Sequence, residues 1–436
     1  MTRSAVFSQM LCQGRSAADL LKLLAPLPHV VYLQDVDQPM IACFAQRYLL
    51  AQHQQLLGYQ LDQEKPTVVE DVTEWLSFQH PQDKLVGFIS YDYAAQQHIE
   101  LESSAAQPQL FLGMFDSYLY LQEDCWYFQS HSAQAKQYFQ QLQTLLNTPA
   151  QPQQFYLTQS CQARWSFEQY QHAFQQVQDY IVAGDCYQIN LTQQFIGTAQ
   201  GDLAQVADAF WQLTQAPYAG YARIAEFELL SCSPELFIEF QDNRRIITKP
   251  IKGTMPRYAD PELDQQSKQT LAQSEKDRAE NVMIVDLLRN DLSVYAETGS
   301  VKTPKLFAIE SFKQVHHMVS DVTATLKAEV NPLAMLLHAL PGGSITGAPK
   351  IRAMQIIDEL EGAPRGAYCG SMGYFNADGT GAWNILIRSI QKQQQHVSIW
   401  AGGGITIASN CEAEYQECFD KVAALLDLLN RFTSSN

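Results

Sequence analysis

Apolar and polar positions recur along this chain with spacings that predict both helices and strands. From Phe167 to Gly184, aromatic and aliphatic residues return every three or four positions, which predicts an amphipathic helix. Ser166 and Gln169 fit a capping box at the start of this helix, and Gly184 is typical of its end. Residues 186–192 then alternate between apolar and polar side chains, as expected of a strand.

Other segments continue this mixture of helices and strands. Apolar runs predict strands at 29–33, 86–91, 110–115, 220–240, 245–249, 319–326, 383–390 and 397–401. Helical periodicity predicts helices near 275–291, 349–361 and 412–429. Strands paired as hairpins, with helices between the groups, favour an α+β fold with antiparallel-rich sheets over a regular βαβ array.

A polar segment around residues 148–154 is typical of a surface connector. It divides the chain into a predicted amino-terminal domain, 1–147, and a second domain, 160–433. The amino-terminal part is rich in glutamine and carries no chemical motif. Candidate functional residues are therefore sought in the second domain.

Charge and composition limit the functions that are expected of this chain. The chain has 436 residues, of which 46% are hydrophobic and 17% are charged, as in ordinary globular proteins. Its net charge of −17 repels phosphate backbones, so nucleic-acid binding is not expected. An anionic small substrate would need a local cluster of cations or backbone N–H groups.

Cysteine usage and hydropathy indicate the cellular setting. The nine cysteines are scattered and form no C-x-x-C pair, which argues for a reducing compartment and against a zinc site or a disulfide framework. No stretch approaches the roughly 18 apolar residues that a membrane span needs. The first ten residues are too polar for a signal peptide, so a cytoplasmic protein is expected.

One lysine stands in an unusual setting, within the segment Lys249-Pro-Ile-Lys-Gly-Thr-Met-Pro-Arg257. Lys252 precedes a glycine and lies between two prolines. The glycine permits a sharp turn and close approach of a ligand, and the prolines stiffen the backbone on both sides. Such a lysine is a candidate nucleophile if its surroundings lower its pKa; an exposed turn lysine is the alternative for this segment alone.

Acidic residues gather on two of the predicted helices. Glu280 lies on the first, and Glu414 and Glu417 share one face of the second, with Lys421 one turn further along that face. Carboxylates of this kind suit Mg²⁺, which needs few protein ligands. A solvated helix face with salt bridges explains the same pattern.

Two glycine-rich segments suit the binding of an anion. Residues 341–350 lead into a predicted helix, whose first N–H groups point towards the loop. Gly402, Gly403 and Gly404 follow the predicted strand at 397–401, where their backbone N–H groups are expected to face a carboxylate. A tight turn is the alternative for each segment.

Two further residues are candidates for the site. Glu235 and Lys252 are expected on neighbouring strands if 236–241 and 245–249 form a hairpin around the turn Asp242-Asn-Arg244. Arg388 is predicted inside an apolar strand, where it needs a carboxylate of the substrate or an internal salt bridge. No cysteine has the Gly-x-Cys-x-Gly setting of a glutamine amidotransferase nucleophile, although Cys369 comes near it.

Together these segments resemble the chorismate-utilising enzymes, which include anthranilate, aminodeoxychorismate, isochorismate and salicylate synthases. The resemblance is dense from about 184 to 422. It is carried by Ser233-Pro-Glu, Pro250-Ile-Lys-Gly-Thr254, Asp286-Leu-Leu-Arg-Asn-Asp291, Ile345-Thr-Gly-Ala-Pro-Lys350, Gly370-Ser-Met-Gly373 and Ala401-Gly-Gly-Gly404. The family fold that it implies is a layered α/β/β/α sandwich of the anthranilate synthase component I type.

Two positions indicate the branch of the family. Anthranilate, isochorismate and salicylate synthases carry alanine at the position of Lys252, whereas the aminodeoxychorismate branch carries lysine. Isochorismate and salicylate synthases place a water-activating lysine where this chain has Gln188. The resemblance therefore implies an enzyme that introduces nitrogen, with anthranilate synthase component I or a catalytically silent chorismate-binding homologue as the alternatives.

The resemblance also implies a role for each matching residue. Lys252 would attack C2 of chorismate while Glu235, as general acid, protonates the departing C4 hydroxyl, and ammonia would then add at C4. Ammonia would come from solution or from a separate glutamine amidotransferase subunit. Glu280, Glu414 and Glu417 would hold Mg²⁺, and the substrate would be bound by Arg388, Lys421, Thr346, Gly402, Gly403, Gly404 and Gln188.

Lysine chemistry places a demand on this scheme. An ordinary lysine has a pKa of about 10.4, so a half-neutral amine near pH 7 needs about three pH units of depression, or roughly 4 kcal/mol. Burial and a nearby cation, either Mg²⁺ or Arg388, are expected to supply it. Glu235 is expected to have a raised pKa, since a general acid must retain its proton.

Overall fold

The structure is a computed structural model that describes residues 6–433 except 36–37, 54, 62, 64, 103–104, 149–152 and 313–314. Most of the predicted connector at 148–154 lies outside the described residues. In the described part of the chain, strands form two large antiparallel sheets, and helices cover them.

The first sheet runs in the order β1-β10-β9-β3-β2-β13-β14-β23-β24-β12-β11, with β20 also paired to β12. Its strands are β1 Phe7–Gln13, β2 His29–Leu33, β3 Met40–Cys43, β9 Ser117–Gln122, β10 Cys125–Ser130, β11 Tyr156–Ala163, β12 Gln188–Gln200, β13 Tyr218–Ile224, β14 Phe227–Ser233, β20 Gly347–Ala348, β23 Ser389–Gln393 and β24 His396–Ile405.

The second sheet runs in the order β17-β19-β16-β15-β22-β21-β7-β8-β4-β5-β6, with β18 on the other edge of β19. Its strands are β4 Ala45–Gln52, β5 Gln55–Gln60, β6 Thr67–Val68, β7 Lys84–Ile89, β8 Leu110–Phe115, β15 Leu236–Phe240, β16 Arg245–Thr248, β17 Ile251–Pro256, β18 Lys302–Ser311, β19 Val315–Thr325, β21 Ser371–Asn376 and β22 Gly381–Asn384.

Helices lie against both sheets. They are α1 Ala17–Leu23, α2 Val72–Trp75, α3 Tyr91–Ala95, α4 Ala135–Asn147, α5 Phe167–Ala183, α6 Ala207–Thr214, α7 Pro261–Gln273, α8 Glu275–Ser293, α9 Pro332–Ala339, α10 Lys350–Glu361, α11 Cys411–Asp420 and α12 Ala423–Asn430. The helices α5, α10 and α11 contact β12 or β24 of the first sheet, whereas α7 and α8 contact β17 and β19 of the second.

The core explains why the two sheets lie face to face. One buried cluster contains Val31 of β2 and Leu229 of β14 together with Phe88 of β7 and Phe111 of β8, so apolar side chains of both sheets pack against each other. Burial of such side chains is the main favourable contribution to folding. The predicted layered α+β sandwich is confirmed.

The two predicted domains share both sheets. In the first sheet β2 pairs with β13, and in the second β7 pairs with β21, so strands from 1–147 continue sheets built from 160–433. The boundary between the two segments stays a prediction.

Several predicted elements are confirmed at their ends. The helix α5 begins with the capping box of Ser166 and Gln169 and ends at Gly184, whose φ is +84°. The strands at 29–33 and 110–115 form as predicted, and β15 and β16 form the predicted hairpin. All nine cysteines are free thiols. Within the described ranges, no helix is long and apolar enough to cross a membrane.

Two predicted elements are wrong in detail. The predicted strand at 383–390 is two strands, β22 and β23, which belong to different sheets. The chain crosses between the sheets at 385–388, and this crossing is apolar because Ile385 and Leu386 are buried there. The predicted helix at 412–429 is broken between α11 and α12, at Lys421 and Val422.

The cap of α5 provides a test of the fold. Replacing Ser166 with Ala removes the hydroxyl that accepts from the backbone N–H of Gln169. We expect a loss of about 1 kcal/mol in the free energy of unfolding, measured by urea denaturation. Ser160→Ala, which alters a partly exposed hydroxyl of β11 that caps no helix, is the control. Equal stability of the two variants would contradict the capping role.

Candidate active site

A cavity of about 510 Å³ opens between the edge of the second sheet and the strand β24 of the first. Its wall is formed by β12, β17, β19, β24, α8 and α11, with the turn at 234–235 and the loops around 344–345, 368 and 387–388. Most of the predicted site residues meet here, although they come from distant parts of the sequence. The predicted residues in the wall are Glu235, Lys252, Glu280, Arg388, Gly402, Gly404, Glu414, Glu417 and Lys421.

A bulge in β17 presents Lys252 to the cavity. Lys252 is paired with Met318 of β19 and Thr254 with His317, so Gly253 is an extra residue without a partner. Gly253 has a φ of +76°, a backbone conformation that suits glycine. A side chain at this position would also collide with the carboxylate of Asp277. Gly253 therefore gives the backbone a sharp local turn beside Lys252, as the sequence predicts, and Lys252 lines the cavity.

Glu235 lies at the turn that leads into β15 and is 9% exposed. Its backbone is fixed because its N–H donates to the hydroxyl of Ser233 over 3.2 Å and its carbonyl accepts from the N–H of Ile385 over 3.1 Å. Burial raises the pKa of its carboxyl to about 7, against the effects of Lys252, the Ile251 N–H, Lys421 and Arg388. A carboxyl with this pKa holds a proton in a large fraction of molecules at neutral pH, which suits a general acid.

The amine of Lys252 is held below its usual pKa. Burial is the largest cause, and the positive charge of Lys421 adds to it, whereas Glu280, Glu235 and Glu417 oppose it. Of the two cations expected to supply this repulsion, Arg388 acts on Glu235 instead. Mg²⁺ stays an expectation. The direction of the shift favours the neutral, nucleophilic amine.

The acidic wall of the cavity comes from α8 and α11. Glu280 lies 3.9 Å from the amine of Lys276, and Glu417 lies 2.6 Å from the amine of Lys421. Glu414 is 4% exposed and accepts a hydrogen bond of 2.8 Å from the hydroxyl of Ser409. Burial raises the pKa of Glu280 and of Glu414. Burial acts in the same direction on Glu417, but the positive charges of Lys421, Lys276 and Lys252 together outweigh it and lower the pKa of Glu417.

The acidic wall is compatible with a hard cation but is not a closed metal centre. In the part of the chain that the structure describes, no three acidic, imidazole or thiol side chains converge as a complete ligand set. A side chain at Gly403 would meet Glu414 at 2.9 Å and Glu417 at 3.2 Å, so only glycine leaves space beneath these two carboxylates. An open set of carboxylates fits Mg²⁺, which keeps several water ligands.

The three glycines lie inside β24 and do not follow it as predicted. Gly402, Gly403 and Gly404 pair in register with residues 190–192 of β12. The carbonyl of Gly402 accepts from the Lys421 amine over 2.7 Å, which fixes this lysine at the cavity wall. The strand extends through the glycines because β12 offers it a full ladder of backbone partners.

Arg388 reaches the cavity from the crossing between the two sheets. It has a φ of +51° and lies just before β23, so the prediction of an apolar strand around it is wrong. Its guanidinium is mostly buried, and burial lowers its pKa. No ion pair joins it to a carboxylate within the described ranges, which leaves its fork geometry suited to an anionic ligand.

Three predicted substrate-binding residues lie behind the cavity wall. Thr346 is fully buried, and its hydroxyl donates to the carbonyl of Gly342 over 2.9 Å. Gln188 is 2% exposed, packs its amide against Gly404, and leaves its side-chain oxygen without a partner. Gly403 lies beneath the carboxylates of the acidic wall.

Sequence reasoning missed several residues of the wall, among them His317, Tyr368, Trp400 and Asn190. Burial, with the nearby charge of Arg388, lowers the pKa of His317 to about 4, so its ring is neutral at pH 7. The hydroxyl oxygen of Thr254 lies 2.8 Å from the Nδ1 of His317. A signal existed, because a pair of histidines interrupts the apolar strand β19, which pairs with the Lys252 segment.

Comparison with known proteins gives a consistent result. A profile of the family described as chorismate binding enzyme matches residues 30–427. The chain is 50% identical over 275 residues to aminodeoxychorismate synthase component 1 of Klebsiella aerogenes, and 50% identical over 280 residues to the protein of that name from Escherichia coli K12. These alignments cover 63% and 64% of this chain, and 61% of each relative. The chain thus spans less than two thirds of these relatives' length.

A solved structure supports the same relationship. The fold matches anthranilate synthase component I from Streptococcus pneumoniae TIGR4 with a TM-score of 0.76 and 25% identity, over 89% of this chain and 92% of that chain. The family profile covers most of the sequence, and four of the six motifs that carry the predicted resemblance contribute residues to the wall of one cavity. This chain therefore belongs to the family of chorismate binding enzymes.

Proposed function

We propose that this protein converts chorismate and ammonia into 4-amino-4-deoxychorismate, as component I of an aminodeoxychorismate synthase. The proposal depends on one observation: Lys252 and Glu235 line the same cavity. Lys252 is an amine with a lowered pKa, and Glu235 is a carboxyl with a pKa of about 7. One group can attack while the other donates a proton. The 50% identity to the two aminodeoxychorismate synthases supports the same assignment.

The first step is attack by the neutral amine. Lys252 forms a bond from Nζ to C2 of the ring, both ring double bonds shift along the ring, and the bond between C4 and its hydroxyl breaks. Glu235 gives its proton to the departing oxygen, which leaves as water. The attacking nitrogen loses a proton, which restores the proton of Glu235 directly or through solvent. The burial of Glu235 fits this use, since it keeps a large fraction of the carboxyl protonated near neutral pH.

The second step reverses the first with a different nucleophile. Ammonia bonds to C4, both ring double bonds shift back, and the bond between C2 and Lys252 breaks. The nitrogen at C4 loses one proton as Lys252 regains a proton and leaves as the free amine. Chorismate and ammonia have then given 4-amino-4-deoxychorismate and water, and the pyruvyl group is retained. The alternative product, anthranilate, requires loss of pyruvate.

Substrate binding uses the cations of the cavity. We assign Arg388 and Lys421 to the carboxylates of chorismate, since both lie in the wall and carry positive charge. When bound at Glu280, Glu414 and Glu417, Mg²⁺ would add positive charge that binds and neutralises a ring carboxylate. Thr346, Gln188 and Gly403 act from behind the wall, by holding the residues that form it.

Ammonia is the second substrate, and we propose a separate glutamine amidotransferase subunit as its source. No cysteine of this chain stands in an amidotransferase nucleophile motif, which fits a division of labour between two chains. The nine free thiols suit a reducing compartment such as the cytoplasm. The product would enter the formation of 4-aminobenzoate for folate.

Product identity tests the proposed function. The purified chain is supplied with chorismate, magnesium and ammonium, and the product is identified by mass spectrometry and fluorescence. We expect 4-amino-4-deoxychorismate, which retains pyruvate and is not aromatic. Fluorescent anthranilate would instead assign the chain to anthranilate synthase. Absence of any product, with chorismate still bound, would assign it to a silent homologue.

Replacement of Lys252 by Ala tests the nucleophile. Removal of the amine leaves ammonia without the adduct that activates C4, so we expect ammonia-dependent turnover to fall by at least about a hundredfold, as for loss of other catalytic groups. The wild-type chain should also carry chorismate less one water on the peptide that contains Lys252, detected by mass spectrometry after rapid quenching.

Lys249→Ala is the matched control, because Lys249 belongs to the same segment but lies outside the cavity wall. We expect it to retain turnover and the adduct. Unchanged turnover in Lys252→Ala would eliminate the lysine as a nucleophile, although the chain would still belong to the family.

A further inference from the structure

Behind the cavity wall lies a buried ion pair that the proposed reaction does not use. Arg365 follows α10, and Glu361 is the last residue of that helix. Each side chain is 1% exposed, and Arg365 does not reach the cavity. The guanidinium donates to both oxygens of Glu361, over 2.8 Å from Nε and 2.7 Å from Nη2. Buried charges need such complete pairing, because desolvation is expensive.

The remaining donors of Arg365 reach two residues of the cavity wall. Its Nη2 donates to the backbone carbonyl of Asn190 over 2.7 Å, and its Nη1 donates to the carbonyl of Ile345 over 3.1 Å. Asn190 belongs to β12, and Ile345 belongs to the glycine-rich loop between α9 and α10. One planar group therefore fixes the spacing between a strand and a loop that lie side by side in the wall.

The same guanidinium also supports an aromatic part of the wall. It lies 5.8 Å from the ring centre of Tyr368 and 4.7 Å from that of Tyr91. Tyr368 stacks on Trp400 at 5.9 Å with an angle of 10° between the rings, and both rings line the cavity. Cation–π contacts of this kind hold an aromatic ring in place and grow stronger away from water.

Glu361 connects the ion pair to β12, the strand that pairs with β24 in the first sheet. Its Oε1 accepts from the backbone N–H of Thr192 over 3.0 Å and from the hydroxyl of Thr192 over 2.6 Å. Thr192 pairs in register with Gly402, whose carbonyl binds Lys421. The ion pair is therefore linked to the cavity at the loop, at the strand and at the aromatic stack.

We propose that Arg365, paired with Glu361, is a positioning residue for chorismate: it holds Asn190, Ile345 and Tyr368 where the substrate meets the cavity wall. The proposal rests on the proposed function for the identity of the ligand. Its physical basis is that five donors in a rigid fork fix several backbone and ring positions at once, which lysine cannot reproduce. Displacement of a binding wall by as little as 1 Å is enough to weaken binding and catalysis greatly.

The test replaces the ion pair by neutral groups of similar size. In the double variant Glu361→Gln with Arg365→Met, the new side-chain amide does not face a buried charge and still accepts from Thr192, while the thioether chain fills the volume of the guanidinium. Chorismate binding is measured by calorimetry with magnesium and without ammonium, and kcat and KM are measured with ammonium. We expect Kd and KM to rise at least about tenfold, with a smaller change in kcat.

A second buried ion pair provides the matched control. Lys392 and Glu228 lie 3.0 Å apart, are 10% and 3% exposed, and belong to β23 and β14 away from the cavity wall. The variant Glu228→Gln with Lys392→Met should lose a similar amount of thermal stability and bind chorismate like the wild type. Equal chorismate affinity in the two double variants would overturn the positioning role.

A conservative variant covers the case in which the double variant fails to fold. Arg365→Lys keeps the buried charge beside Glu361 but cannot reach both carbonyls, so it should fold and still bind chorismate at least about tenfold more weakly. If Arg365→Lys bound chorismate with wild-type affinity, the positioning role of Arg365 would be overturned and the proposed function would not be affected. Failure of the wild-type chain to bind chorismate would overturn the proposed function, and this proposal with it.

Discussion

The site depends on one electrostatic constraint: an amine and a carboxyl share one cavity, in whose wall Glu235 is buried and Lys252 is partly buried. Burial disfavours the charged form of each group, so it lowers the pKa of Lys252 and raises that of Glu235. A salt bridge between them would stabilise both charges and remove both the nucleophile and the acid. Lys421 opposes that outcome for Lys252, because a second cation in the cavity makes another proton on the lysine less favourable. The same amine neutralises Glu417, so one residue adjusts both the catalytic and the acidic side of the cavity.

The fold supplies this constraint by joining two sheets at one place. Lys252 comes from the edge of the second sheet, the glycines of β24 come from the first, and Arg388 comes from the crossing between them. A chain with a net charge of −17 thereby gathers cations at the point where an anionic substrate is expected. Glycine leaves space at two places in this region: a side chain at 253 would collide with Asp277, and a side chain at 403 would crowd Glu414 and Glu417.

The sequence predicts the parts of this site that depend on local chemistry. The Lys-Gly pair, the shared helix face of Glu414 and Glu417, and the hairpin beside Glu235 follow from short-range spacing, and they appear as predicted. The predictions of a strand around Arg388 and of the end of β24 are wrong, because both depend on which sheet each strand joins. Periodicity along the sequence carries no information about strand pairing. The histidine pair in β19 is a local signal for His317, but only the pairing of β19 with β17 shows that this residue lies at the cavity. Glu361 and Arg365 are only four positions apart, but their contacts with Asn190, Ile345 and Thr192 have no local signal, because those residues are distant in sequence.

The most direct test is the pKa of Lys252 itself. Competitive acetylation of the intact protein across pH, followed by mass spectrometry of the Lys252 peptide, reports the fraction of neutral amine. The account predicts a midpoint clearly below the ordinary lysine value of about 10.4. It also predicts that Lys421→Gln raises this midpoint, because removal of a neighbouring cation favours the protonated amine. Lys302→Gln, an exposed lysine on β18, should leave it unchanged. An ordinary midpoint for Lys252 that Lys421→Gln does not alter would contradict the account.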